Sequence, residues 1–469
     1  MSEEIIYIKN LFANRGIILN NKLEHLFDAF VKDEFNIKAV QQILENQKML
    51  TEKWKLKNRI SDILQQPVSI PNGTVNKPYE AKLDFIKLGW NEIVFFELFG
   101  LDDLGLIYEP LEEVISGIPL KNGDLKFVLK FRVEGELEDS ELHEKTISFV
   151  VNPDPKSLWK DIKSDESDPY WKEDNITSSG KLGEKNIVVA SKRGRSHANV
   201  GSFRDDHFTF KHLDNTGWSI IALADGAGSS KISRDGSKTA CDGIINYFSE
   251  NLSTEIFKEF DILLKDHCVG SGENTLKKLN HFVYNNLGKA ALDIHKSLEQ
   301  RANKLEVNLK DLHTTLIFVL LKKYEFGYAI LSFGVGDCPI GLINKDLSSV
   351  NLMNWLDVGE FGGGTRFITM PEIFQSEKFA TRFGFKIVED FSYLMLMTDG
   401  IYDPKFVVEA NLDKIEKWLE FLEDLNGKNE DNIKVDFIKD NTEIETQLSK
   451  WMDFWSPGNH DDRTLAVIF

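Results

Sequence analysis

Carboxylates recur in this sequence at the ends of strongly apolar runs. Trp218 to Ala224 (WSIIALA) carries no charge and stops at Asp225-Gly226. Tyr393 to Thr398 (YLMLMT) stops at Asp399-Gly400, and Asp461-Asp462 stands directly before RTLAVIF at Arg463 to Phe469. Asp205-Asp206 precedes a further strand-like stretch, and Asp337 lies in a turn after the apolar run Phe326 to Val335. A buried strand delivers the side chain at its end to a sheet edge, and small residues beyond it let other groups approach. Carboxylates cannot gather in a partly buried cleft without counter-charge. Few bases lie near all of these positions, so bound cations are the simplest solution. Oxygen ligands without cysteine or paired histidine select Mg2+ or Mn2+ over zinc. Two such ions about 4 Å apart, sharing Asp225 as a bridge, would lower the pKa of a water between them from ~15.7 towards neutrality; such a hydroxide attacks phosphorus in line. Asp-Gly alone is a common turn, as at Asp235-Gly236 and Asp242-Gly243. The information lies in the repeated placement beside apolar strands.

The elements that must position these acids begin near Asn186. Ile187 to Ala190, His313 to Leu321, Phe326 to Val335 and Pro339 to Ile343 read as strands. Ala240 to Leu252, Thr275 to Leu298, Phe406 to Leu425 and Glu443 to Phe454 read as helices, and the glycine-rich stretch Asp357 to Met370 as a surface flap. Helices grouped between hairpins, rather than alternating with strands, predict an α+β sandwich. Upstream, residues 1–68 read as a helical region in which Asn36 caps a helix. Residues 69–152 hold short strand-like runs separated by turn signals. Within them Ile115 to Val133 (ISGIPLKNGDLKFVLKFRV) resembles bacterial immunoglobulin-like modules, which implies a small β-sandwich that binds or spaces. Residues 153–185, rich in Pro, Asp, Ser and Lys, read as a linker whose Trp159, Tyr170 and Trp171 pack on a neighbouring surface, or as a docking segment for another protein.

In order, RDDHF, ALADGAGSS, HTTL, GVGDCP, MTDGIYD and HDDRTLAVI resemble the metal-dependent protein phosphatases of type 2C (the PPM family), in their bacterial branch, over residues 186–469. The resemblance implies two antiparallel sheets face to face with helices outside, a four-layer α-β-β-α sandwich. It implies hydrolysis of phosphoserine or phosphothreonine in proteins with two Mn2+ or Mg2+ ions. Asp206 matches the family's metal-ligating Asp, and Asp225 the bridging Asp, with the Gly226 carbonyl beside it. Asp399 and Asp461 match the two later ligands, and Asp337 the residue that helps to hold a third ion. Asp205 stands where the family has Glu, Asp462 where it has Asn, and Cys338 where it has Ser. His197 takes the place of the family's phosphate-gripping Arg, and Arg193, Arg195 and Arg204 are further candidates for that grip. Arg offers a bidentate hold that His lacks. Ala227 occupies the position of a proposed general-acid His, which leaves protonation of the leaving group to water or another residue.

Composition bounds the rest. A chain of 469 residues exceeds one ordinary core. A net charge of −19 argues against nucleic acid as a partner. No apolar run approaches the ~20 residues that span a bilayer. The acidic N-terminus MSEEIIYIKN and three scattered cysteines, Cys241, Cys268 and Cys338, predict a cytoplasmic protein with reduced thiols. The expected partners are a phosphorylated protein substrate, a Ser/Thr kinase as chemical counterpart, and a protein bound by the N-terminal region. The competing expectation is a non-enzymatic adaptor that binds phosphoproteins, motivated by the altered phosphate-grip segment.

Overall fold

The computed structural model describes residues 2–270, 273–357 and 364–469, and the chain is a mixed α+β protein. It divides into two compact units, Met1–Leu158 and Trp159–Phe469.

In the first unit three helices, Glu3–Asn14, Glu24–Lys32 and Glu34–Gln65, open the chain. Asp33, not Asn36, caps the third: its carboxylate accepts from the amides of Phe35 (3.0 Å) and Asn36 (3.2 Å). The Asn36 side chain, through Nδ2, donates to the Phe30 carbonyl. Asp33 holds the extended backbone an N-cap needs, whereas Asn36 already lies inside the first turn. Ile8, Phe27, Val31 and Val40 form a small core among these helices. A four-stranded sheet, in the order Gly73–Thr74, His143–Asn152, Gly123–Val133, Ile93–Phe99, shares a second core with a three-stranded sheet, Tyr79–Lys82, Val114–Gly117, Leu106–Glu109. Alternation along His143–Asn152 sends Lys145, Ile147, Phe149 and Val151 inward. Ile63, from the end of the long helix, lies in the same core, and Lys145 Nζ donates to the carbonyl of Leu64.

The second unit carries two antiparallel sheets. One runs His207–Leu213, Trp218–Ala224, Leu316–Tyr324, Gly327–Val335, Phe383–Val388. The other runs Val350–Leu352, Ile340–Asn344, Phe391–Met397, Arg463–Ile468, Lys185–Lys192, Asn175–Leu182. Trp218–Ala224 is buried at every residue, which accounts for its uninterrupted apolar sequence. Ile221 and Leu223 join a core with Val189, Leu394, Leu396 and Ala466 of the other sheet. Ile220, Ala222 and Ala224 face the helices Ser233–Asn251, Glu255–Cys268 and Glu273–Leu305 through Ile244, Phe260 and Leu287. The outer side of the second sheet, through Ala190, Met395 and Val467, meets Trp418 of Ile415–Leu425 and Trp451 of Ile444–Trp451. Of the expected helix Phe406 to Leu425 only Ile415–Leu425 is α-helical; Phe406 ends the helix Asp399–Phe406, and Val407 after it takes a positive φ of 68°.

Residues 153–185 differ from a plain linker. Asn175–Leu182 is the edge strand of the six-stranded sheet, in register with Lys185–Lys192, and buries Leu182. No helix among the described residues is long and apolar enough to cross a membrane. A chain starting at Trp159 is expected to melt cooperatively. One starting at Asn186 lacks the edge strand and is expected to melt about 5 °C or more lower. Equal midpoints by circular dichroism would deny the strand any part in the unit.

Candidate metal centre

The two sheets bring their acids to one place by register. His207 pairs with Ala224, so Asp206 and Asp225 leave the same end of a hairpin. Met397 pairs with Leu465, so Asp399 and Asp461-Asp462 leave one end of the other sheet. The sheets are tied there by Asp206, whose Oδ2 accepts from the hydroxyls of Thr398 (2.9 Å) and Thr464 (2.6 Å). Asp225 is fixed through its backbone. Its amide donates to Thr315 Oγ1 at 2.9 Å, and its carbonyl accepts from Thr314 Oγ1 and the Thr315 amide, both at 2.8 Å. These hydroxyls explain the HTTL motif. Gly226 and Gly400 allow the approach. A Cβ on Gly226 would meet the Asp205 carbonyl at 2.7 Å, and one on Gly400 would collide with the carbonyl of Asp462.

Asp462 lashes the acidic loops together. Its Oδ1 accepts from the Gly194 amide (2.6 Å) and His197 Nδ1 (3.0 Å), and its Oδ2 from the amides of Asp205 and Asp206. Burial alone would raise this carboxyl, but the bonds from His197, Gly194 and Asp205 hold it below the usual range. Burial likewise opposes charge on His197, yet Asp462, with Asp205 and Asp461 near, lifts the imidazole to about 10. Ligand atoms of His197, Asp205 and Asp462 lie within 4.8 Å of one another, a spacing a metal could use. With both oxygens of Asp462 already accepting, that triad serves as a tether.

On the remaining acids burial and mutual repulsion outweigh the bonds they receive. Burial, then Asp399, Asp206, Asp461 and Asp337, raises Asp225 far above a normal carboxyl. Burial, then Asp461, Asp337, Asp206 and Asp403, does the same to Asp399. Burial and Asp462 push Asp206 to about 7 and Asp205 to about 6. Asp461 and Asp337 are also raised, first by burial. Asp206 Oδ1 and Asp399 Oδ1 are buried without a hydrogen-bond partner among the described residues. Mutually repelling carboxylates with orphaned oxygens are what hard divalent cations satisfy, so the donor set fits Mg2+ or Mn2+.

Asp403 belongs to this field and was not among the expected site residues. It contributes to the rise of Asp399, Asp337 and Asp461, and its carboxyl is itself raised by burial. Its spacing of one helical turn from Asp399 was the available signal. At Asp337, Oδ2 accepts from Thr365 Oγ1 at 2.7 Å. Asp357, at the start of the expected flap, is held by Arg382 through two bonds of 2.5 and 2.8 Å and accepts from the Gly336 amide. Residues 358–363 of that flap lie outside the described residues.

The four phosphate-grip candidates separate. Arg204 is buried, with Nη1 on the Asp206 carbonyl and Ser191 Oγ and Nε on the Glu173 carbonyl. Arg193 is buried on the carbonyls of Ser202 and Ile162 and on Asp161 and Asp174. Both are anchors of the main chain and cannot turn to a phosphate. Arg195 donates to the Asp453 carbonyl and lies over Trp455 at 5.3 Å. His197 alone points at the acids, with Nε2 3.8 Å from Asp461 Oδ1.

A family model described as protein phosphatase 2C matches residues 193–453, more than half of the 469. No curated protein matches the chain. Similar solved structures include a bacterial serine phosphatase, at 18% identity, covering 60% of this chain and 96% of that one with a TM-score of 0.35. The serine/threonine phosphatase Stp1 from Staphylococcus aureus is 15% identical, covering 66% and 98%, with a TM-score of 0.34. The catalytic domain of the serine/threonine protein phosphatase PstP, in complex with two manganese ions, is 14% identical, covering 63% and 98%, with a TM-score of 0.36.

The raised carboxyls set a pH dependence for the metal-free protein. Folded Asp205 and Asp206 hold protons up to about 6 and 7, whereas the unfolded chain releases them near 4. They therefore destabilise the fold increasingly as pH rises through that window. His207, held near 2 by burial, works in the opposite sense below its usual value. The informative quantity is thus the difference with and without Mn2+. The rise in melting temperature on adding Mn2+ should be larger at about pH 7 than at about pH 5. An equal rise at both, by differential scanning fluorimetry, would detach metal binding from these acids.

Proposed function

Because the chain belongs to the protein phosphatase 2C family, we propose that it is a metal-dependent phosphatase acting on phosphoserine and phosphothreonine in proteins. The observation that carries this reading is the meeting of Asp206, Asp225, Asp399 and Asp461 in one raised-pKa field with two orphaned carboxylate oxygens. Two Mn2+ or Mg2+ ions would be held by these four residues and the Gly226 carbonyl, with Asp337 near a third. When bound, such ions supply counter-charge and a water acidic enough to act as nucleophile near neutral pH. The outer cores read as helical layers on the two sheets, the four-layer α-β-β-α sandwich of the family.

The chain's own residues do the positioning. Thr398 and Thr464 occupy one oxygen of Asp206 and leave the other for an ion. Thr314 and Thr315 hold the Asp225 backbone so that its carboxylate projects from the strand end. His197, kept charged by Asp462, is the proposed contact for the phosphate dianion, with Arg195 at the margin. Attack by water oxygen on phosphorus breaks the bond to the seryl or threonyl oxygen, which takes its proton from solvent, since Ala227 offers none. The phosphatase domain, 186–469 with the strand before it, would act in the cytoplasm. A Ser/Thr kinase would supply its substrate, and the N-terminal region, with its immunoglobulin-like 69–152, would bind a protein partner.

Asp225→Asn removes the bridging charge and keeps the volume. Mn2+-dependent hydrolysis of p-nitrophenyl phosphate should fall roughly 100-fold or more, while the metal-free melting temperature rises because one repelling charge is gone. Undiminished turnover in this variant would refute the bridge. Wild-type protein inert in millimolar Mn2+ and Mg2+ would favour the adaptor, for which the exchange of Arg for His197 is the motive.

A further inference from the structure

The segment Trp159–Asp174, which precedes the family match, is fastened to the loops that carry the acids. The Lys160 amide donates to Asn199 Oδ1 and the Ile162 amide to the Ala198 carbonyl. Asp161 and Asp174 pair with Arg193, and Asp168 with Arg234 at 2.9 Å. The segment's central contact is Lys172. Its Nζ donates to the carbonyl of Asp206 (2.6 Å) and shares further bonds with Ser237 Oγ (3.1 Å) and the carbonyls of Asp205 (3.2 Å) and Arg234 (3.3 Å).

The Asp205-Asp206 main chain is thereby gripped from both sides. Asp462 takes its amides, and Lys172 takes both carbonyls, beside Arg204 Nη1 on that of Asp206 and Ser237 Oγ on that of Asp205. A main chain held on both its donors and its acceptors beside the ligand Asp206 has little freedom to rotate. Only the carboxylates remain to adjust. Without Lys172 each carbonyl keeps a donor, Arg204 or Ser237, but loses the group that ties the two together, so the pair is freer to shift.

We infer that Lys172 is a positioning residue of the metal centre, so that the catalytic unit includes Trp159–Asp174 and not only the segment matched to the family. The inference rests on the metal-dependent reading above. Two physical effects of removing the ammonium have opposite signs. Loss of a neighbouring positive charge would draw a cation in more tightly, whereas loss of the backbone grip would weaken its binding. A grip outside the direct ligands commonly governs about 10–100-fold in metal affinity.

The test is calorimetric titration of the full chain with MnCl2, for wild type, Lys172→Met and Lys172→Arg, with p-nitrophenyl phosphate kinetics alongside. Lys172→Met is expected to bind Mn2+ about tenfold or more weakly and to need correspondingly more Mn2+ for half-maximal turnover. Its KM for the substrate at saturating Mn2+ should stay unchanged, and Lys172→Arg should recover most of the affinity. Folded Lys172→Met with unchanged or tighter Mn2+ binding overturns the inference: the ammonium is then a packing element or a mere counter-charge. Should Lys172→Met fail to fold, Lys172→Gln, which keeps a donor without charge, is judged by the same titration. Wild type that binds no Mn2+ sinks the metal reading itself, whereas wild type that binds while Lys172→Met binds equally sinks only the role of Lys172.

Discussion

Repulsion among carboxylates is the constraint around which the second unit is built. Acids from opposed sheets share one half-buried field, and each raises its neighbours. A fold stable with such a field needs compensation within the chain. Asp462 provides it by turning an additional acid into an acceptor for three backbone amides and an imidazole. Lys172, drawn down to about 7 first by burial, donates to the carbonyls of Asp205 and Asp206. The negative charge that the loops leave uncompensated is the part a cation would complete.

Register explains why the acids meet at all. Each sheet is antiparallel, so strand ends that are distant in sequence come to a common edge. Small residues and hydroxyls then close the distance. Gly226 and Gly400 remove side chains where backbones would collide, while Thr314, Thr315, Thr398 and Thr464 convert proximity into fixed orientation. The apolar cores on either side of the sheets hold the edge rigid and contribute no chemistry.

The strands that carry Asp225, Asp399 and Asp461 were legible because unbroken apolar runs ending in an acid have few other readings, and their elements occur near the expected positions. Boundaries were less legible. The helix Glu255–Cys268 was not anticipated, since its apolar residues are interleaved with Lys, Glu and Asp. The start of Ile415–Leu425 was placed too early, at Phe406, because nothing in the residue types discloses the positive φ at Val407. At the site, Arg193 and Arg204 were reasonable candidates by type, but residue type does not disclose that neighbouring carbonyls already occupy a guanidinium. Lys172 was invisible for a related reason. It sits among charged and turn-forming residues, and only the folded chain turns it towards the acids.

Asp357 and Thr365, on either side of residues 358–363, are both moored to the Gly336-Asp337 turn, one through Arg382 and a backbone amide and the other through a hydroxyl. Each mooring fixes the chain beside the turn that carries one of the acids. A change at Thr365 would therefore be felt first at Asp337, whose carboxylate accepts its hydroxyl.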